Sequence, residues 1–199
     1  MAELALLFAV VFALNVVPAF APPTWMALSW VGFSRPREHP IMVLALLGAL
    51  AATLGRLVLT QLSRIILRQR FMSPAMRDNV DVIKDQLERH RTWTFGAFLA
   101  YAFSPFPSNY LFIAYGLTSL PLWLVTVPFF IGRVVSYSVF VFTASHVSQH
   151  LALETTDAQP YFGLYFLISQ GVLLGAVALL MRMDWNYLVT VRQFRWLRT

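Results

Sequence analysis

Residues 100–116 have the sequence AYAFSPFPSNYLFIAYG, in which apolar and aromatic residues flank a polar centre that contains proline. Pro105 and Pro107 cannot donate backbone hydrogen bonds and interrupt any helix through this centre. Within a bilayer, such irregular backbone is tolerated only where protein or a wet cavity surrounds it. The stretch therefore predicts two helical halves joined by a turn at membrane depth.

The composition of the whole chain is that of an integral membrane protein. Of its 199 residues, 58% are hydrophobic and 12% are charged, whereas a typical soluble domain has about 25% charged residues. Apolar stretches of roughly 20 residues, the length that crosses a bilayer, recur along the chain. The net charge of +6 is attributed to membrane orientation, so that no nucleic-acid partner is expected.

Two stretches share an ordered set of features that predicts a duplication. Residues 23–32 and 107–116 both run from a proline through a hydroxyl residue and seven mostly apolar residues to a glycine. In each half a Gly-Arg pair, Gly55-Arg56 or Gly132-Arg133, follows within a long apolar segment. This self-similarity predicts two copies of one structural unit.

Each broken segment is either a re-entrant hairpin or part of one kinked span. A helix over 24–33 rises only about 15 Å, about half of the hydrocarbon core, so it does not cross alone. Kinked spans divide the basic residues evenly, whereas hairpins place ten on one side and two on the other, a split that the positive-inside rule favours. The ten are Arg68, Arg70, Arg77, Lys84, Arg89, Arg91, Arg182, Arg192, Arg195 and Arg198, and the two are Arg35 and Arg37.

The predicted fold is all-α and integral to the membrane, with two inverted repeats that each combine a re-entrant helical hairpin and a transmembrane helix. The single membrane domain, 1–199, comprises repeat 1 at 4–67, an amphipathic surface helix at 74–92, repeat 2 at 93–147, a last transmembrane helix at 161–182 and an interfacial tail at 183–199. Ser73-Pro74 has the pattern of an N-cap followed by proline at the first helical position. The residues expected to shape the hairpins are Pro18, Pro22, Pro23, Pro105, Pro107, Gly32 and Gly116.

Arg56 and Arg133 lie deep within apolar segments, and none of the nine acidic residues lies in such a segment. A charge at this depth costs several kcal/mol or more unless it is paired or hydrated. The partners of these arginines are therefore backbone carbonyls freed by the broken helices, water, or an anionic ligand. A purely structural role and direct ligand binding both stay open at this point.

Polar residues near the two breaks suggest where an anion would bind. Thr24 and Ser108 stand at the expected starts of half-helices, where a hydroxyl caps free N–H groups and the helix dipole attracts negative charge. Asn15 and Asn109 can donate further hydrogen bonds. The predicted substrate-binding residues are Arg56, Arg133, Thr24, Ser108, Asn109 and Asn15.

Metal binding and enzyme chemistry are not expected. His146, His150 and Glu154 have the spacing of one helix face, but the remaining ligands of a metal site are missing, so an ordinary interface is favoured. The chain has no phosphate-cradling Gly-rich loop, HExxH or G-x-S-x-G motif. We expect no catalytic residue and no cofactor.

Several segments together resemble the DedA / VTT-domain (SNARE-associated) membrane protein family, of which the chain looks like a divergent member. They are NVVPAFAPPTW (15–25), the span from Gly48 to Gly55-Arg56, FSPFPSNYLFIAYGL (103–117) and PFFIGRVVSY (128–137). The resemblance covers roughly residues 12–145 and implies two re-entrant hairpins with adjoining spans. Two arginines of the family's second hairpin correspond here to Ala102 and Ser108, and its acidic residues correspond to about Trp25 and Thr53. These departures leave proton coupling without a candidate carboxylate.

The family includes flippases and scramblases that move lipids. One of the lipids moved is the phosphorylated polyprenyl carrier of bacterial envelope synthesis. The resemblance therefore implies a lipid transporter in a bacterial inner membrane, with the 68–92 loop and the C-terminus cytoplasmic. Its partners would be membrane lipids, either a phosphorylated polyprenyl or an anionic phospholipid, and a homo-oligomer stays open. The alternatives are a non-transporting assembly factor or scaffold, which the missing carboxylates favour, and a small-solute exporter.

Overall fold

The structure is a computed structural model that describes residues 2–18, 22–34, 38–103, 108–118, 120–150, 161–165, 167–169, 171–172 and 175. Every regular element in these ranges is helical, which agrees with the all-α prediction. The helices are α1 Ala2–Val16, α2 Thr24–Ser34, α3 Ile41–Ser63 with a π-helical continuation Arg64–Phe71, α4 Pro74–Arg89, α5 Arg91–Phe103, α6 Ser108–Thr118 and α7 Trp123–His150.

Two of these helices are long and apolar enough to cross a membrane. They are Ile41–Phe71, which includes the π-helical continuation, and Trp123–His150, with 31 and 28 residues. At the rise of a helix, each length exceeds the roughly 30 Å hydrocarbon core. The duplication and the re-entrant course of the shorter helices stay predictions.

The chain divides into two compact units, residues 1–158 and 159–199. The described part of the second unit is helical, and its Phe162 and Tyr165 rings lie 5.9 Å apart. The predicted last transmembrane helix at 161–182 is therefore described only in part. The tail at 183–199, Pro105, Pro107 and Glu154 lie outside the described residues.

The long helices α3 and α7 pack against each other and form the centre of the first unit. Helices α1 and α6 pack mainly on α3, whereas α2 and α5 pack mainly on α7. Each long helix therefore contacts the first helix of one short pair and the second helix of the other. This exchange of partners joins the two predicted repeats through a shared core.

Glycines lie where the helices approach most closely. A Cβ on Gly55 would stand 2.6 Å from the Phe12 carbonyl oxygen of α1, and one on Gly132 would stand 2.5 Å from the Ala102 Cβ of α5. A Cβ on Gly116 would likewise lie 2.7 Å from the Thr60 carbonyl oxygen. Small residues at such contacts let helix backbones approach, as is usual in membrane proteins.

Helix α1 runs alongside α3 in the same direction. Glu3 lies beside Glu38 and His39, just before α3 begins, with one polar atom from each within 4.8 Å of the others, while Asn15 lies beside Gly55. The end of α2 is held on α7, where the Ser145 hydroxyl donates to the Gly32 carbonyl at 2.9 Å. Both ends of the α1–α2 pair are therefore near the start of α3 and the end of α7.

The short pair α5–α6 is anchored at the opposite end of α3. Arg64 donates from Nη2 to the Leu120 carbonyl at 3.1 Å, and Arg68 donates from Nη1 to the Leu117 carbonyl. These bonds satisfy carbonyl groups at and just beyond the C-terminus of α6, where intrahelical donors are lacking. Nη2 of Arg68 also forms an ion pair with Asp81 of α4, lying 2.9 Å from each of the two carboxylate oxygens.

Helix α4 begins as the sequence predicts. The Ser73 hydroxyl accepts a hydrogen bond from the Met76 amide at 3.3 Å, and Pro74 occupies the first turn. The helix ends at Arg89, and α5 begins at Arg91, so the surface helix is shorter than the predicted 74–92. The capping prediction is confirmed.

Replacing Asp81 with asparagine should lower the stability of the protein, because it removes the charge that pairs with Arg68. The Arg68 side chain is 15% exposed and the Asp81 side chain 40% exposed, so the expected loss is only about 1 kcal/mol. Thermal or denaturant unfolding in detergent measures it. Asp78→Asn, an exposed site on the same helix, is the control, and equal losses from both variants would contradict the assignment.

Candidate functional site

Arg56 is buried at the contact between α3 and α1. Its side chain is 5% exposed, and Nη1 donates to the Asn15 carbonyl at 3.1 Å. This carbonyl belongs to the last turn of α1, which lacks an intrahelical donor. The neighbouring Gly55 lets α1 come close enough for the bond to form. Arg56 thus connects the end of the short helix α1 to the long helix α3. This contact is the one that the purely structural role considered in the sequence analysis predicts.

Asn15 links the end of α1 to the start of α2. Its side-chain amide donates to the Val11 carbonyl at 2.8 Å and to the Thr24 hydroxyl at 3.0 Å. Thr24 is the first residue of α2, as predicted. The carbonyl and the side chain of Asn15 therefore connect Arg56 to the start of the second short helix.

Arg133 forms the corresponding cluster in the second half. It is half-buried on α7, and Nη2 lies 3.3 Å from the hydroxyl of Ser108, the first residue of α6. Its guanidinium carbon also lies 4.9 Å from the Phe129 ring centroid and 5.7 Å from that of Tyr137. Both distances are within the range of cation–π attraction.

The two clusters are electrostatically coupled. The charge of Arg56 interacts with that of Arg133 and with the Tyr137 and Tyr101 side chains. Within the described ranges the ion pairs are Arg68–Asp81 and Arg91–Glu88, so neither of the two inner arginines pairs with a carboxylate there. The Nε atoms of Arg56 and Arg133 are buried and have no hydrogen-bond partner in the part of the chain that the structure describes.

Five of the six predicted site residues therefore form two clusters, Asn15, Thr24 and Arg56 in one and Ser108 and Arg133 in the other. Asn109 follows Ser108 on α6 and is half-buried, and no hydrogen bond joins it to this group among the described residues. Each cluster connects one cation with the first residue of a helix. Chemically, it can attract and hold an anion.

Sequence reasoning missed the aromatic partners of Arg133. Phe129 and Tyr137 lie four residues before and after it, the spacing of one helix turn on each side. The sequence contains this spacing, but it indicates that the two rings lie beside Arg133 only if residues 123–150 form one continuous helix. The sequence also treated Arg68 only as an orientation charge, and the structure adds its bonds to α6 and α4.

The histidine pair on α7 has the predicted helical neighbour relation. The ring centroids of His146 and His150 lie 4.1 Å apart, and both residues are exposed. The third member of that pattern, Glu154, is outside the described residues. For the two histidines, the prediction of an ordinary solvated interface and not a metal site is unchanged.

In its described residues the protein is all-helical, with two helices that are long and apolar enough to cross a membrane, and an arginine on each of these helices has no carboxylate partner there. Comparison of the chain with protein-family models, curated proteins and solved structures returned no match.

Proposed function

We propose that the protein is a membrane lipid transporter of the flippase or scramblase type that handles an anionic or phosphorylated head group. The observation that carries the proposal is a buried arginine and a half-buried one on apolar helices, with no carboxylate partner among the described residues. Both arginines lie beside elements that start at Thr24 and Ser108. A centre of this kind is costly in an apolar environment unless an anion compensates it.

Phosphate is the head-group chemistry that these residues suit best. A guanidinium presents N–H donors in a planar fork that matches two phosphate oxygens. The first turn of a helix adds free N–H groups and a positive dipole end. The candidate lipids are therefore a phosphorylated polyprenyl or an anionic phospholipid.

The contacts of the short helices support a re-entrant course for both pairs. Glu3 and Gly32 of the first pair lie near the start of α3 and the end of α7. In the second pair, α6 ends against Arg64 and Arg68, at the opposite end of α3. Helix pairs that enter from opposite faces and meet near the midplane are the usual setting of a transporter's binding site. The resemblance to the DedA / VTT-domain family supports the same proposal.

The orientation is testable because the chain has no cysteine of its own. We propose a bacterial inner membrane with the 68–92 loop and C-terminus cytoplasmic. Single cysteines at Glu3 and Glu38, both exposed, should react with an impermeant maleimide from the outer face, and a cysteine at the exposed Asp78 from the inner face. Labelling of Glu3 and Glu38 positions from different faces would overturn the first re-entrant hairpin.

Transport is tested with the purified protein in vesicles that contain a fluorescent anionic phospholipid, by dithionite quenching of the outer leaflet. We expect Arg133→Ala and Arg56→Ala each to lower the rate of lipid movement at least tenfold, because each removes one of the two charges that compensate the head group. Arg70→Ala, which removes an exposed arginine, should stay within twofold of the wild type. Equal rates for all four proteins would end the proposed role of the inner arginines. No movement by the wild type would favour the scaffold alternative.

A further inference from the structure

We infer that Arg133 is the residue that contacts the head group, that Phe129 and Tyr137 hold its guanidinium for this purpose, and that Arg56 is a positioning residue. This inference rests on the proposed function and assigns different roles to two arginines that the sequence presents as equivalent. Three sets of contacts carry it.

The first set concerns Arg56, which is the more buried of the two arginines and donates to a backbone carbonyl. It is 5% exposed, and it donates to the Asn15 carbonyl at 3.1 Å. The Asn15 carbonyl has no donor within its own helix. If Arg56 moved to another partner, this buried carbonyl would be left without a hydrogen bond, which costs free energy. Asn15 in turn donates to Thr24. Displacing Arg56 would therefore disturb the junction of α1 and α2, so its role is to position this junction and to supply charge at a distance.

The second set concerns Arg133, whose donors are largely available. Among the described residues its hydrogen bond joins Nη2 to a hydroxyl, at 3.3 Å, which is long for a hydrogen bond to a charged donor. Its exposure is also greater than that of Arg56, since it is half-buried. A ligand can therefore reach Arg133 and replace a weak contact.

The third set explains how Arg133 is held without using these donors. The Phe129 and Tyr137 rings attract the delocalised charge of the guanidinium, at 4.9 and 5.7 Å from its carbon. Unlike a carbonyl, these rings do not accept a hydrogen bond from the in-plane N–H groups of the guanidinium. Phe129 is itself fixed against Phe112 of α6 by an edge-to-face contact at 4.8 Å. The cation is thereby kept in place with in-plane N–H groups free for an anion.

The chemistry of the ligand follows from this geometry. An anion with two adjacent oxygens can accept from both terminal nitrogens of Arg133 together. The Ser108 hydroxyl and the first turn of α6 lie next to the same position. Lysine cannot reproduce either the fork or the stacking on aromatic rings. The inference therefore predicts that only arginine serves at position 133, whereas lysine serves at position 56.

Isothermal titration of the detergent-purified full chain with dihexanoyl phosphatidic acid, a soluble phosphate lipid, tests this division. We expect Arg133→Lys to weaken binding at least tenfold, and Arg56→Lys, which keeps the charge in the site, to weaken it at least threefold less than Arg133→Lys does. Phe129→Leu should weaken binding several-fold, whereas Phe129→Tyr, which keeps a ring, should restore it. Gel filtration and unfolding temperature establish that each variant is folded. If the leucine variant does not fold, the two lysine variants decide the matter alone.

The outcomes separate this inference from the proposed function. Equal losses from the two lysine variants, a lysine at 133 without effect, or no binding by the wild type would overturn the assignment of Arg133, even if the wild type moves lipid in vesicles. The predicted pattern without lipid movement would support Arg133 as the anion ligand and end the transport proposal. Titration with inorganic phosphate distinguishes the source of the anion: binding as tight as that of the lipid would assign the site to free phosphate, with the roles of the arginines unchanged.

Discussion

Replacing Gly132 with alanine is expected to destabilise the protein by about 1–3 kcal/mol, the usual cost of overpacking. The added Cβ would lie 2.5 Å from the Ala102 Cβ and 3.3 Å from the Ala102 carbonyl carbon. Neither atom can move away without shifting the backbone of α5 or α7. Because Gly132 precedes Arg133, the shift should also lower lipid movement. Denaturant unfolding in detergent and the vesicle assay measure the two effects.

Gly96 of α5 provides the matched control for this substitution. It is exposed, and a Cβ at this position meets no atom of another described residue within 4 Å, its chain neighbours and its own helix backbone aside. Alanine there should raise helix stability, by up to about 1 kcal/mol, since glycine is a poor helix former. If Gly96→Ala and Gly132→Ala change the free energy of unfolding in the same direction, the proposal that Gly132 allows the close contact between α5 and α7 is wrong.

Arg56→Met is expected to reduce lipid movement to the rate of vesicles without protein. The free energy of unfolding should stay unchanged or rise by up to about 2 kcal/mol. The substitution removes a buried cation, which costs about 2.5–3.5 kcal/mol on membrane-insertion scales, and its repulsion by Arg133. It also leaves the Asn15 carbonyl without its donor, at a cost of about 1–3 kcal/mol. The two effects oppose each other, so the net change is small or favourable. A residue that lowers stability but is needed for activity is typical of a functional site.

Arg68→Met is the control, because it makes the same chemical change where the charge is paired. Arg68 bonds to Asp81 and to the Leu117 carbonyl, so its removal leaves a carboxylate and a helix end without their donor. We expect a clear loss of stability from this variant. If Arg56→Met lowers the unfolding temperature as much as Arg68→Met does, the burial of Arg56 is not a net cost, and the argument for an uncompensated cation fails.

Local features of the fold were predictable because they depend on residues adjacent in sequence. The helix starts at Thr24 and Ser108 and the cap at Ser73 are confirmed. Each depends on proline or hydroxyl residues within one turn of the helix end. The two long apolar helices followed from hydropathy and length alone. The binding of an anion by this site stays a prediction.

What the sequence by itself determined is the presence of two helices long and apolar enough to cross a membrane, and of two arginines, Arg56 and Arg133, with no acid in the same segments. Only the tertiary structure decided the partners of these arginines: Arg56 donates to the carbonyl of Asn15, 41 residues away, whereas Arg133 meets Ser108, 25 residues away. The physical reason is that a helix presents side chains on every side, and hydropathy does not specify which helix will face them. The close contacts at Gly55 and Gly132 set that choice here, because they bring α1 onto α3 and α5 onto α7.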